Sequence, residues 1–171
     1  MADPHCTDRG IPDHLHHEDR PLVEFDAARE LLFRRFNLQN EATITACIKF
    51  KEMSVNRERL SAPDDALFNT EDGGHYEDHG VVEFAVESLR APTEDGCWRL
   101  DNVPGAYELR PVHKPGRCNY AHSEVLVFKD GQPQGNIKPT TMKLAIRRDL
   151  EPRIKVRLPV EQAGGQLPLG E

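Results

Sequence analysis

The chemistry-bearing side chains of this chain concentrate in residues 113–128. His122 and Glu124 stand two apart at the entry to an apolar run, Val125-Leu126-Val127-Phe128. In a strand, alternate side chains share a face, so the imidazole and the carboxylate are expected to point the same way. That face continues through Leu126 and Phe128, which would partly desolvate the carboxylate and raise its pKa towards a range useful for proton transfer. Upstream, His113 and Cys118 complete the spacing H-x4-C-x3-H-x-E. His113, Cys118 and His122 are ligand types for zinc or another divalent metal, and three protein ligands plus a water is the usual catalytic arrangement. The competing reading is structural: His122 and Glu124 as a hydrogen-bonded pair at a strand start. His-Ser-Glu also matches the H-x-E of zinc nucleobase deaminases, but those need a downstream P-C-x-x-C, and no cysteine follows Cys118. There is no G-x-S-x-G, P-loop, H-E-x-x-H or dinucleotide-binding glycine fingerprint.

The elements that must position these residues read as follows. Residues 112–118 are a Gly/Pro loop feeding a strand over 123–128, and Asp130-Gly131 then signals a tight hairpin, with 132–139 as loop. Before it, residues 80–89, 97–100 and 106–112 alternate like strands between compact turns, which implies antiparallel neighbours. Trp98 reads as core filler. Residues 22–36 carry a helix signal: Asp26 as N-cap, Glu30 early, Arg34 and Arg35 late, and Ala28, Leu32 and Phe36 at helical spacing. Residues 42–50 alternate as a half-buried strand. Met53 to Arg57 is a short extended piece or turn, and Ser61 to Asp64 resembles a capping box opening a short helix through Phe68. Residues 69–80 are an acidic surface loop. Residues 141–150 fit both a helical and an alternating pattern, and we take them as helix with Thr140 or Thr141 as cap. Residues 153–158 form a charged-faced edge strand with Val156 inside. The expected fold is α+β: a mostly antiparallel sheet of about five strands, packed by an N-terminal helix and a short C-terminal helix. Residues 1–20 are expected to be a flexible polar leader, 21–160 a single domain and 161–171 a disordered tail.

Bulk properties narrow the partners. The chain has 171 residues, 37% hydrophobic and 30% charged, with a net charge of −7. That argues against broad capture of nucleic acid or anionic membrane, despite Arg147, Arg148, Arg153, Lys155 and Arg157, and leaves another protein as the expected partner. The four cysteines lie far apart, and Cys47 and Cys97 read as small buried hydrophobes. No secretory signal and no apolar run of bilayer length is present, so the expectation is a cytoplasmic protein with reduced thiols.

Three segments carry a resemblance. Leu32-Phe33-Arg34-Arg35, Met53-Ser54-Val55-Asn56-Arg57 and Ala121-His122-Ser123-Glu124-Val125 resemble, in that order, the L-x-R-R, M-S-V-x-R and A-H-x-E-V segments of a group of short bacterial proteins of unknown function. The resemblance spans roughly residues 21–126. The acidic insert near 70–80 and the C-terminus depart from it. It implies no activity, but it lifts Arg34, Arg35, Ser54, Arg57, His122 and Glu124 above their neighbours as candidates; by side-chain chemistry Arg34, Arg35 and Ser54 are expected to bind and Arg57, His122 and Glu124 to catalyse, and if the segments converge Arg35 or Arg57 lies beside the His–Glu pair. Two functions follow as expectations. One is a non-catalytic binding or accessory protein of a bacterial multi-gene system. The other is a small hydrolase or phosphate-processing enzyme using His122, Glu124 and Arg57, with or without a metal.

Overall fold

Short apolar runs punctuated by Asp, Gly and Pro leave each strand only one cheap partner, the next run folding back on it. The computed structural model describes residues 3–26, 28–37 and 44–158, and these form an α+β fold around one open antiparallel sheet. Its strands are β1 (Leu31–Phe36), β2 (Met53–Arg57), β3 (Gly80–Ala85), β4 (Trp98–Leu100), β5 (Val103–His113), β6 (His122–Lys129), β7 (Gln132–Gln134) and β8 (Lys155–Leu158). They lie in the order β4-β5-β6-β2-β1-β3-β8, with β7 paired to the end of β6, and every pairing is antiparallel. The helices are α1 (Pro4–Thr7) and α2 (Thr140–Leu150).

One face of the sheet holds the core. Leu32, Met53, Val55, Val82, Phe84, Leu109, Val125 and Val127 pack there against Met142, Ile146 and Leu150 of α2, with Ile137 before it. Each such side chain contributes about 1.5–3 kcal/mol on burial. Trp98 is part of this core, and its indole N–H donates to Asp149 Oδ2 at 2.9 Å, so its one polar group is matched. The hairpin between β6 and β7 turns on Asp130 and Gly131, both with positive φ (50° and 76°), the pairing that matches strand twist.

The structure departs from the sequence expectations in several places, each for a physical reason. The sheet has eight strands, not about five, because β1, β2 and β7 are strands where the sequence reading had a helix, a short extended piece or turn, and a loop. The expected N-terminal helix is absent from the described residues of that segment, where the chain only turns: Asp26 Oδ1 accepts the Ala28 N–H and the Asp26 carbonyl accepts the Glu30 N–H at 3.0 Å, after which the chain extends as β1. Leu32 and Phe36 face the core while Phe33 packs on the other side with Ala66 and Val81, so β1 is buried on both faces and its apolar run has no strand period to read. Residues 44–47 form a 3₁₀ turn, with neighbouring Cys47 and Ile48 both buried, which an alternating strand does not allow. Residues 42 and 43 lie outside the described residues, as does the tail 161–171. At residues 63–67 only a 3₁₀ turn forms, with Asp65 Oδ2 accepting the Ala62 N–H. Helix α2 is present, capped at Pro139 and not by a threonine. Edge strand β8 leaves Val156 40% exposed.

Residues 3–20 are not loose. Cys6, Ile11 and Leu15 form a second apolar cluster with Cys118 and Ala121. A Cys6–Cys118 disulfide closes it, and Leu15 O accepts the Tyr120 N–H at 2.6 Å. The expectation of reduced thiols therefore fails for these two cysteines, while Cys47 and Cys97 are buried and form no disulfide. Among the described residues no helix is long and apolar enough to cross a membrane.

Candidate functional site

Strand parity builds the site. On β6, His122 and Glu124 fall on the face away from the core, while Ser123 and Val125 are buried on the other. The register carries this across the sheet: His122 pairs with Asn56 of β2, and Asn56 with Phe33 of β1. Glu124 pairs with Ser54, and Arg35 shares the face of Phe33 two residues along. Three central strands thus present Phe33, Arg35, Ser54, Asn56, His122 and Glu124 on one side. Over them opens a cleft of about 480 Å³, floored by residues 33–37 and 54–56 and walled by Glu52, Ala66, Phe68, Thr70, His79, Asn119 and His122.

Of the residues singled out from sequence, Arg34, Arg35, Ser54 and His122 line this cleft. His122 is held by its Nδ1–H donating to the Lys114 carbonyl at 2.6 Å. That assignment leaves Nε2 of the neutral ring as an acceptor. Arg34 secures the floor, with Nε donating to Cys47 O at 2.6 Å and Nη1 to Ser54 O at 2.9 Å. The exposed Arg35 guanidinium lies 3.9 Å over the Tyr76 ring.

Glu124 and Arg57 do not join them. Glu124 is absent from the cleft lining, and its carboxylate accepts from Lys114 Nζ. His122 and Glu124 are each tied to Lys114 and not to one another, and the half-exposed Leu126 and Phe128 do not seal the carboxylate in. Arg57 is fully buried on the opposite face, against Glu30 and the carbonyls of Val23 and Glu24. A residue one position from Asn56 has to point the other way. Of the expected catalytic trio of His122, Glu124 and Arg57, His122 alone lines the cleft.

The metal set also fails to assemble. Cys118 spends its sulfur in the disulfide. His113 spends both ring nitrogens: Nδ1 accepts the Val23 N–H at 3.0 Å and Nε2–H donates to Tyr120 O at 2.7 Å. Burial pushes the His113 pKa down, and the nearby Arg57 lowers it further. Among the described residues no group of three His, Cys, Asp or Glu is placed to hold a metal ion.

Asn56, Asn119 and His79 are among the cleft residues that were not singled out from the sequence. Asn56 is only 5% exposed on the central strand. Asn119 sits in the turn before β6, and its Nδ2 donates to Asn56 Oδ1 at 3.0 Å. His79 ends the acidic loop and is held by Asp78 Oδ1 at 2.6 Å. That hydrogen bond keeps the Asp78 carboxyl below its ordinary pKa. Asn56 had a local signal, its parity with Ser54, but Asn119 and His79 arrive by long-range packing alone. Comparison of the chain with models of known protein families, with curated proteins and with solved structures finds no match.

Proposed function

We propose that this chain is a non-catalytic binding protein that takes its ligand in the cleft on the open face of the sheet. The observation carrying this reading is the division of residues across the sheet. His122, Arg35, Ser54 and Asn56 meet at the cleft, while Arg57 lies on the core face and Glu124 is engaged by Lys114. What gathers at the cleft is a set of hydrogen-bonding and cationic groups from rigid central strands. That arrangement recognises a ligand well. As a general base, His122 would be strengthened by a carboxylate that orients its ring, and the Glu124 carboxylate is engaged by Lys114 instead.

The hydrolase reading keeps one feature in its favour, an imidazole opening on a cleft beside an arginine. One experiment separates the two. A small-metabolite panel is screened by thermal shift against the wild type and His122→Ala, alongside turnover assays on generic phosphate and carboxylate esters with and without added divalent metal. The binding reading expects ligand-dependent stabilisation that His122→Ala weakens at least fivefold, and no turnover above buffer. Turnover by the wild type that His122→Ala abolishes, with its melting curve intact, would establish the hydrolase instead.

A further inference from the structure

Residues 21–26 run past the ends of β2 and β5 as a strap that side chains hold down. Among the described residues, none of residues 21–25 makes a backbone–backbone hydrogen bond. Instead the Tyr120 hydroxyl donates to Pro21 O at 2.6 Å, and the Val23 N–H donates to His113 Nδ1 at 3.0 Å. Arg57 donates to Val23 O and, at 2.7 Å, to Glu24 O, and the Asp26 N–H donates to Glu30 Oε2 at 3.0 Å. Apolar burial adds little: Leu22 is 68% exposed, and Phe25 is the strap residue that packs, partly buried, against the main core. A strand keeps its backbone pairs whatever its side chains do. This strap is held only while the side chains around it keep the right donors and acceptors.

Of these holders, only a histidine ordinarily changes charge between about pH 5 and 8. The His113 ring has no spare position. Its Nε2–H donates to Tyr120 O at 2.7 Å, so Nδ1 must stay unprotonated to accept from Val23. A second ring proton would set two N–H groups against each other. The surroundings resist that proton: burial pushes the His113 pKa down, Arg57 of β2 and His17 of the N-terminal segment act the same way, and the Tyr120 hydrogen bond and Glu30 oppose them. Glu30 is itself committed to Arg57. The Arg20 guanidinium lies 3.8 Å over the Tyr120 ring, which meets the His113 ring edge-on at 5.2 Å. The strap's own carboxylates are Glu24, which is exposed, and Asp26, whose Oδ1 accepts the Ala28 N–H. Once the strap lifts, the imidazole meets water and takes the proton freely.

We propose that His113 is a proton latch: on acidification it takes up a second ring proton and releases residues 21–26 while the sheet stays folded. This does not depend on what the cleft binds. Linkage gives the sign and the size. With the strap open the ring binds its proton near the ordinary value of 6.5, and with the strap closed it resists. The latch is therefore fully closed above about pH 6.5 and opens as pH falls below it, by at most about tenfold per pH unit for one proton. The test is residue-resolved amide hydrogen exchange of the full chain by NMR at pH 7.5 and pH 5.5, corrected for intrinsic rates, beside a titration of the His113 ring. The Val23 and Asp26 amides are expected to lose about three- to tenfold of their protection at pH 5.5, while the protected amides of β6 change less than twofold. His113→Gln, whose carboxamide accepts and donates without titrating, removes the pH dependence from the strap. Strap amides that keep their protection at pH 5.5, or lose it only in step with β6, overturn the latch. So does a pH dependence that survives His113→Gln. If that variant does not fold, the wild type decides: ring protonation and loss of Val23 protection at the same pH support the latch, and at different pH values overturn it.

Discussion

Arg57 and Glu30 meet as a buried, two-pronged ion pair, with Nε 2.6 Å from Oε1 and Nη2 2.8 Å from Oε2, and neither side chain exposed at all. Two further guanidinium N–H groups donate to the carbonyls of Val23 and Glu24, and the guanidinium carbon lies 3.9 Å from the centre of the Phe25 ring. One cation thus fastens residues 23–30 to the middle of the sheet. Removing one partner strands the other charge in the core, at about 3–5 kcal/mol. Arg57→Ala and Glu30→Ala are each expected to lose that much in urea unfolding. Arg57→Lys should recover little, because an ammonium cannot fill a planar fork. A loss below 1 kcal/mol for Arg57→Ala would show the pair to be ornamental.

His113 sets a pH dependence. Its Nδ1 accepts from the Val23 amide and its Nε2–H donates to Tyr120, so the fold selects the neutral ring. Burial is the main cause of its lowered pKa, Arg57 and His17 act the same way, and Glu30 opposes them. The unfolded chain takes up this proton near 6.5, where the folded chain still resists it. The stabilisation is therefore complete above about pH 6.5 and drains away as pH falls below it. Urea midpoints for the wild type should drop between pH 8 and pH 5. His113→Gln should be less stable at pH 8 but show a shallower slope. A wild-type midpoint that rises on acidification contradicts the assignment.

The Cys6–Cys118 disulfide joins residues 112 apart in sequence. Cross-linking so long a loop removes much of the unfolded chain's freedom, worth about 2–4 kcal/mol in typical proteins. The double variant Cys6→Ser/Cys118→Ser is expected to lose a stability in that range. Hydrogen exchange should rise first in residues 3–20 and 114–121, the two segments the bond ties together. Identical exchange in those segments with and without the bond would mean that Leu15 and Tyr120 hold the N-terminal segment unaided.

Legibility in the sequence followed the range of the interaction. Strand β6 and its Asp130-Gly131 hairpin were readable because both signals are local: a short apolar run and a turn that demands positive φ. The side shared by His122 and Glu124 was readable for the same reason. Strand β1 was not, since Ala28, Leu32 and Phe36 fit helical spacing and only burial on two faces makes the segment a strand. Arg57 was singled out by its segment, but the choice between the two faces depended on the register with Leu32, which no window of sequence contains. The partners of Cys6 and Asn119 lie 112 and 63 residues away, beyond any periodicity.

Lys114 stands between His122 and Glu124, its carbonyl accepting from the imidazole and its ammonium engaging the carboxylate. The Lys114 side chain is half exposed, at 48%, and the Glu124 side chain 18% exposed, so the ion pair is worth at most about 1 kcal/mol after solvent screening. The backbone carbonyl, by contrast, orients the ring whatever the lysine side chain does. Glu124→Gln and Lys114→Met should therefore each shift stability by less than about 1 kcal/mol and leave cleft binding within twofold of wild type. His122→Ala should weaken that binding at least fivefold with little loss of stability. Thermal melts and titrations of the three variants check this. If Glu124→Gln weakened binding as much as His122→Ala, the carboxylate would belong to the site, and the division of labour across Lys114 would have to be redrawn.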